Sequence, residues 1–119
     1  MKTTFRWILA LVFIAGGLFH FINPDFYLEI LPDWFPAPRF LVGLSGLLEI
    51  LGGTGLLWPD LRTLSSTLLL LLLLAMIPIH IQHVADKGYI SEDIQISPIF
   101  AWLRLLFQGV LIWWARWVR

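Results

Sequence analysis

The chain has no cysteine and few charged residues. None of its 119 residues is a cysteine, and charged residues make up 13% of them. Without cysteine the chain itself supports no disulfide exchange, no thiolate nucleophile and no iron–sulfur ligation, so any redox role requires a bound cofactor. The formal net charge is +0, and the basic clusters that follow a phosphate backbone are missing. The sequence therefore predicts no nucleic-acid partner.

Hydrophobic residues, in contrast, make up 59% of the chain. That share is typical of an integral membrane protein and exceeds the balance of a soluble domain. Because the hydrocarbon core of a bilayer is about 30 Å thick, each spanning helix needs about 20 apolar residues. We predict one all-α domain over residues 1–119, a membrane four-helix bundle with spans at about 5–22, 39–57, 61–84 and 98–117.

Basic residues are distributed unequally between the two ends of these spans. One end has a single acid, Asp60, and these basic residues: Lys2, Arg6, Arg62, Arg116 and Arg119. The other end has two basic residues, Arg39 and Lys87, among these acids: Asp25, Glu29, Asp33, Asp86, Glu92 and Asp93. The excess of positive charge marks the cytoplasmic side. We therefore expect a multi-pass protein with both termini in the cytoplasm.

The segment "HFINPDFYLEILPDWFPAP" (residues 20–38) interrupts the apolar pattern between spans one and two. It is too polar and too rich in proline to cross a membrane, but Phe26, Tyr27 and Ile30 recur at helical spacing and make one side apolar. We predict a short interfacial helix and a stiff turn that lie over the outer end of the bundle. The later segment "SEDIQISP" (residues 91–98) is predicted to be a solvated outer loop without chemistry.

Several polar side chains are predicted to lie at membrane depth. Glu49 and Arg104 belong to spans that both start outside, and helical side chains lean toward the N-terminus, so both should reach a similar depth. An intramembrane charge costs at least about 2.5–3.5 kcal/mol, which favours a pair between them. A structural pair and direct contact with a ligand both remain open. His20 and His80 end spans that run outward, and His83 is expected at the interface.

These side chains should converge under the interfacial helix. The candidate ligand-binding residues are His20, Glu49, His80, Arg104 and Gln108, the last being four residues after Arg104 on the same helix face. Around Glu49, glycines recur every third residue, so that a helix or a ligand can come close: Gly43, Gly46, Gly52 and Gly55. No metal site is predicted, since motifs such as H-E-x-x-H and C-x-x-C are absent. Two histidines on different helices could ligate haem b, which we do not favour.

Four segments together resemble the DoxX-like family of small four-span bacterial membrane proteins. They are "GGLFHFINPDFY" (Gly16–Tyr27), "PAPRFLVGLSGLLEILGGTGLL" (Pro36–Leu57), "IPIHI" (Ile77–Ile81) and "WLRLLFQGVLIWWA" (Trp102–Ala115). The resemblance implies a four-span fold in the bacterial cytoplasmic (inner) membrane. It also implies a membrane subunit linked to thiosulfate oxidation and quinone reduction, or to oxidative-stress assemblies.

Two hypotheses of function follow. In the first, the chain is a membrane subunit whose outer-leaflet polar pocket binds a quinone or another small amphipathic ligand, in a redox-linked or stress-linked assembly. In the second, it is a non-catalytic membrane assembly or chaperone-type partner, and the polar cluster holds the fold. The expected partners are the lipid bilayer and either further copies of the chain or a larger membrane complex. Whether there is any catalytic turnover stays open, and no catalytic residue is assigned.

Overall fold

The protein is described by a computed structural model that covers residues 1–31, 34–88 and 95–118. Its helices are α1 (Lys2–Ile22), α2 (Pro24–Ile30), α3 (Pro38–Gly55), α4 (Arg62–Ala85) and α5 (Pro98–Trp117). The all-α prediction is therefore confirmed for the described residues. The long helices agree closely with the predicted spans, and the largest difference is at the start of α1, predicted at residue 5 and found at Lys2.

Three helices of the described chain are long and apolar enough to cross a membrane, namely α1, α4 and α5. The fourth predicted span, α3, is not among them. Its 18 residues include Arg39, Ser45 and Glu49 besides its glycines, and these residues lower its mean hydropathy. Of the four spans predicted from the sequence, three are thus helices that could cross a membrane by their length and composition.

The four long helices run antiparallel to their neighbours along the chain. On α1 and α3, Gly17 lies against Gly46 and Ala10 lies against Gly53, so residue numbers rise on one helix as they fall on the other. On α4 and α5, Ser66 donates a hydrogen bond to the Ala115 carbonyl (2.7 Å), and Gln108 donates to the Leu73 carbonyl (2.8 Å).

The ends of the chain close this arrangement. Arg6, near the start of α1, donates through Nε to the carbonyl of Val118, just after α5 (2.7 Å). The indole N–H of Trp114 donates to the Phe5 carbonyl (3.2 Å), and the Phe5 ring packs edge-on against Trp114. The contacts between α1 and α5 at this end bring the two termini to the same end of the molecule.

The apolar core is concentrated at the end where the termini meet. Its buried side chains are Leu9, Ala10, Phe13, Leu56, Leu69, Leu73, Ala115 and Val118. The outer surface carries many large exposed apolar side chains, among them Leu11, Leu64, Leu71 and Leu106, each more than half exposed. A surface of this kind is expected where the solvent is lipid, because only buried or lipid-facing positions favour such side chains.

Glycines allow α1 and α3 to come close. A Cβ atom on Gly46 would stand 2.7 Å from the His20 Cβ and 3.0 Å from the Gly17 carbonyl oxygen, and a Cβ on Gly53 would stand 2.8 Å from the Ala10 carbonyl oxygen. A Cβ on Gly52 would meet Leu69 of α4 instead. The prediction that this glycine row faces other helices is confirmed at these positions, whereas Gly43 has open space beside it.

The predicted short helix is present as α2, and it stacks on the end of α1 that lies away from the termini and was predicted to be the outer end. Phe26 and Tyr27 pack edge-on against Phe19, with ring centroids 5.9 and 5.6 Å apart respectively. Pro24 occupies its first turn, where a missing N–H costs nothing. Two predicted segments lie partly outside the described residues. They are the stiff turn after the short helix, at Pro32 and Asp33, and the solvated loop, at residues 91–94.

Replacing Gly46 with alanine should lower thermal stability in detergent, because the new methyl group overlaps the His20 Cβ and a backbone oxygen that cannot move freely. Overpacking of this kind costs about 1–3 kcal/mol. Gly43→Ala, on the same helix with nothing near the new methyl group, is the matched control and should leave the melting temperature unchanged or raise it. Equal melting temperatures for both variants would contradict the close approach of α1 and α3.

Candidate functional site

A cavity of about 250 Å³ lies under α2, between the outer halves of the long helices. All the residues predicted to bind a ligand line it, and they come from four helices: His20, Glu49, His80, Arg104 and Gln108. Apolar side chains form most of the remaining wall. The structure therefore brings the predicted residues to one place, under the helix that was predicted to cover them.

Glu49 and His20 form one wall of the cavity. The His20 Nδ1 atom lies 2.7 Å from the Gly16 carbonyl oxygen and 3.1 Å from Glu49 Oε2. A carbonyl oxygen can only accept, so Nδ1 carries a hydrogen and directs it to Gly16. The contact of Nδ1 with Glu49 is electrostatic, because the Nδ1 hydrogen is already donated to Gly16. Glu49 Oε2 has no hydrogen-bond partner among the described residues.

The predicted pair between Glu49 and Arg104 is wrong as a direct contact. Glu49 lies against His20, and Arg104 places Nη1 3.2 Å from His83 Nδ1. Both residues nevertheless line the same cavity. The partners differ because they depend on how each helix is rotated about its own axis, and α3 turns Glu49 toward α1.

His83 connects Arg104 to the covering helix. Its Nε2 atom lies 2.9 Å from the Ile30 carbonyl oxygen at the end of α2. Because that oxygen can only accept and a guanidinium can only donate, His83 is neutral, with its hydrogen on Nε2 and a lone pair on Nδ1. His83 was expected at the membrane interface, which stays a prediction; within the protein its side chain is buried, with 3% of its surface exposed. It anchors α2 over the cavity.

A second contact holds the chain that follows α2. The Trp34 indole N–H donates to Gln82 Oε1 on α4 (3.3 Å), and Gln82 Nε2 donates to Asp86 Oδ2 (3.0 Å). Together with the contact between His83 and Ile30, this contact attaches the end of α2 and the chain beyond it to the same end of α4.

Tyr27 is a cavity residue that the sequence reasoning assigned only to the apolar side of the cover. Its ring stacks on the His20 ring, with centroids 3.8 Å apart and planes inclined by 13°. Burial, and then the nearby Glu49 carboxyl group, raise the pKa of Tyr27, so the phenol keeps its proton at neutral pH. In the sequence, the signal for this contact was that Tyr27 follows His20 by seven residues, with the helix break at Asn23 between them.

His80 and Gln108 complete the opposite wall. His80 Nδ1 is buried and, like Glu49 Oε2, has no hydrogen-bond partner among the described residues. The Gln108 amide is held in place by its bond to the Leu73 carbonyl. Buried polar atoms without partners are rare in folded proteins and call for an explanation. Two of them in residues that line one cavity indicate a place where a ligand can supply the missing hydrogen bonds.

The arrangement is chemically two-sided. An acidic wall, Glu49 with His20 and Tyr27, is built by α1, α2 and α3, and a basic wall, Arg104 with His80 and Gln108, is built by α4 and α5. Between them lie apolar side chains, including Phe13, Leu72 and Leu111. Pockets of this composition orient a mostly apolar ligand through a few polar contacts.

The fold and the site together define a small helical protein with at least three membrane-compatible helices and a covered, polar-ended cavity. A family model described as a domain of unknown function (DUF8561) matches residues 9–119, and the chain belongs to that family. No curated protein and no solved structure matches the chain.

The resemblance to the DoxX-like family was wrong, because the family whose model matches is DUF8561. The features that carried the resemblance were apolar spans, a glycine row and aromatic residues at the span ends. Membrane helices of any ancestry share them, since lipid requires apolar spans and close helix packing favours small residues. The functions that the DoxX-like family implied therefore have no support from ancestry.

Arg104 should be coupled to His83 more strongly than to Glu49. In a double-mutant cycle that combines Arg104→Gln with His83→Ala, thermal unfolding in detergent should give a coupling energy within the range of about 0.5–3 kcal/mol seen for residues in contact. The parallel cycle with Glu49→Gln is the matched comparison and should give a smaller value. A larger coupling between Arg104 and Glu49 would restore the direct pair.

Proposed function

We propose that the chain is an integral membrane four-helix bundle that binds a small amphipathic ligand in the cavity under α2. The observation that supports this proposal is the convergence of polar side chains from four helices on one mainly apolar cavity, two of them with buried atoms that have no partner. A purely structural cluster satisfies its own hydrogen bonds, because each unmade bond costs about 1–3 kcal/mol.

The membrane setting rests on α1, α4 and α5, and α3 spans with them in this proposal. At about 1.5 Å per residue, its 18 residues reach about 27 Å, close to the thickness of the hydrocarbon core. Its polar residues are tolerable there because Ser45 and Glu49 face the cavity and not lipid. The positive-inside rule then assigns both termini to the cytoplasm and the cavity to the outer leaflet.

The quinone that the resemblance to the DoxX-like family implied has no support from ancestry, and it enters this proposal only as one member of the class of small amphipathic ligands. Its ring carbonyls can accept hydrogen bonds from Arg104 and Gln108, and its tail suits the apolar wall. The proposal assigns no reaction, and a role in a larger membrane assembly is compatible with ligand binding.

The protein extracted in mild detergent should retain a small molecule that mass spectrometry detects above the lipid and detergent background. Gly16 lines the cavity, and a Cβ there would point toward Glu49 Oε2 at 3.8 Å, so Gly16→Leu should fill the space and reduce the retained ligand at least about fivefold. Gly109→Leu makes the same change where nothing lies near the new side chain. It is the matched control and should retain the ligand.

Equal retention by the Gly16→Leu variant, or no bound molecule in the unaltered protein, would contradict ligand binding in this cavity. In the second case a non-catalytic assembly role becomes the better account of the fold. Melting temperatures of both variants should be measured alongside, so that loss of the ligand is read on folded protein.

Epitope tags at either terminus should be inaccessible to antibody in cells whose cytoplasmic membrane is intact. They should become accessible after that membrane is permeabilised, because the basic ends of α1 and α5 keep both termini inside. Accessibility of one tag alone in intact cells would mean an odd number of spans, which would remove α3 from the membrane. Accessibility of both would reverse the orientation of the cavity.

A further inference from the structure

We infer that the ligand of this cavity has an uncharged head group with a hydroxyl that donates a hydrogen bond to Glu49 Oε2. This inference rests on the proposed function and names the class of ligand: an amphipathic alcohol or phenol. Neither the sequence reasoning nor the family assignment specifies such a head group.

Glu49 Oε2 needs a hydrogen-bond donor and not an acceptor. The polar atom beside Glu49 Oε2 is His20 Nδ1, at 3.1 Å. That nitrogen carries a hydrogen, because it donates to the Gly16 carbonyl. A proton on Oε2 would face this N–H, so Oε2 acts as an acceptor. The buried oxygen therefore lacks a donor among the described residues, and Glu49 lines the cavity from which a ligand can supply one.

The two walls of the cavity together favour a neutral head group. Glu49 and Arg104 line the same cavity without contacting each other. A cationic head in the cavity would be repelled by Arg104, and an anionic head would offer the Glu49 oxygen a second acceptor instead of a donor. A neutral head that donates on one side and accepts on the other meets both walls. A hydroxyl is the simplest neutral group that donates.

The lining and the volume of the cavity favour a small polar head with an apolar tail. The stacked rings of His20 and Tyr27 present a flat aromatic wall next to Glu49. The remaining lining is aliphatic and aromatic, with Val12, Met76 and Leu111 extending toward the core. A single ring or short chain bearing one hydroxyl, followed by an apolar tail, matches this order of surfaces in a cavity of about 250 Å³.

The test compares matched probes for binding to the full-length protein in lipid nanodiscs. The probes are 4-octylphenol, which can donate, 4-octylanisole, in which a methyl group replaces the hydroxyl hydrogen, and octylammonium, which is cationic. The phenol should bind about tenfold more tightly than the anisole, because the anisole leaves the buried Glu49 oxygen without a donor and an unmade hydrogen bond of this kind weakens binding by about that factor. Octylammonium should bind more weakly than the phenol.

The preference for phenol over anisole should fall to about threefold or less in the Glu49→Met variant, whose side chain has a similar length but no oxygen to accept the hydrogen bond. Ser45→Ala is the matched control: Ser45 lines the cavity one turn before Glu49, but its hydroxyl already donates to the Val42 carbonyl (3.0 Å). That variant should keep the preference. Because each variant is compared in the same nanodiscs, partition of the probes into lipid cancels from the ratios.

Equal binding of phenol and anisole to the unaltered protein would overturn the inference while leaving ligand binding itself intact. So would an undiminished preference in the Glu49→Met variant, or tighter binding of octylammonium. Binding of none of the probes, together with no retained natural ligand, would instead overturn the proposed function. The comparison on unaltered protein decides the matter even where a variant fails to fold.

Discussion

The close contact between the backbones of α1 and α3 is the constraint on which the site depends. Gly17 and Gly46 meet where any side chain would hold the helices apart. This contact brings His20 to within 3.1 Å of Glu49, and it directs the carboxyl group toward α1 and the cavity. With larger residues at the two glycines, the acidic wall would separate from the aromatic ring stack. The cavity would then lose its shape, and the Glu49 carboxyl group would no longer be held as an acceptor in its wall.

The two walls of the cavity are supported in different ways. The acidic wall depends on helix packing and on the stack of Tyr27 against His20. The basic wall depends on a chain of hydrogen bonds from Arg104 through His83 to the Ile30 carbonyl. Because the second chain ends on α2, the residue that presents positive charge to a ligand also takes part in holding the cover. Changes at Arg104 therefore affect both the contents of the cavity and its closure.

Much of this organisation could be predicted from the sequence, and the limits have physical causes. Helix bounds follow from apolar runs and prolines, and residue depth follows from the rise per residue, so His20, Glu49, His80, Arg104 and Gln108 were assigned to one site. Partners could not be predicted, because they depend on the rotation of each helix about its axis. The error for Glu49 and Arg104 and the missed anchor at His83 share this cause. Family membership could not be inferred either, since membrane helices converge on similar patterns.

The contacts at the two ends of the bundle differ in kind, and this difference has a consequence for motion. At the end near the termini, Arg6 and Trp114 join the first helix to the last around a dry core. At the other end a cavity replaces that core, and α2 is attached by ring contacts with α1 and by the hydrogen bond between His83 and the Ile30 carbonyl. The free energy of local opening is lowest where the fewest apolar contacts must be broken. We therefore expect the long helices to separate more easily at the α2 end, while the end near the termini stays closed.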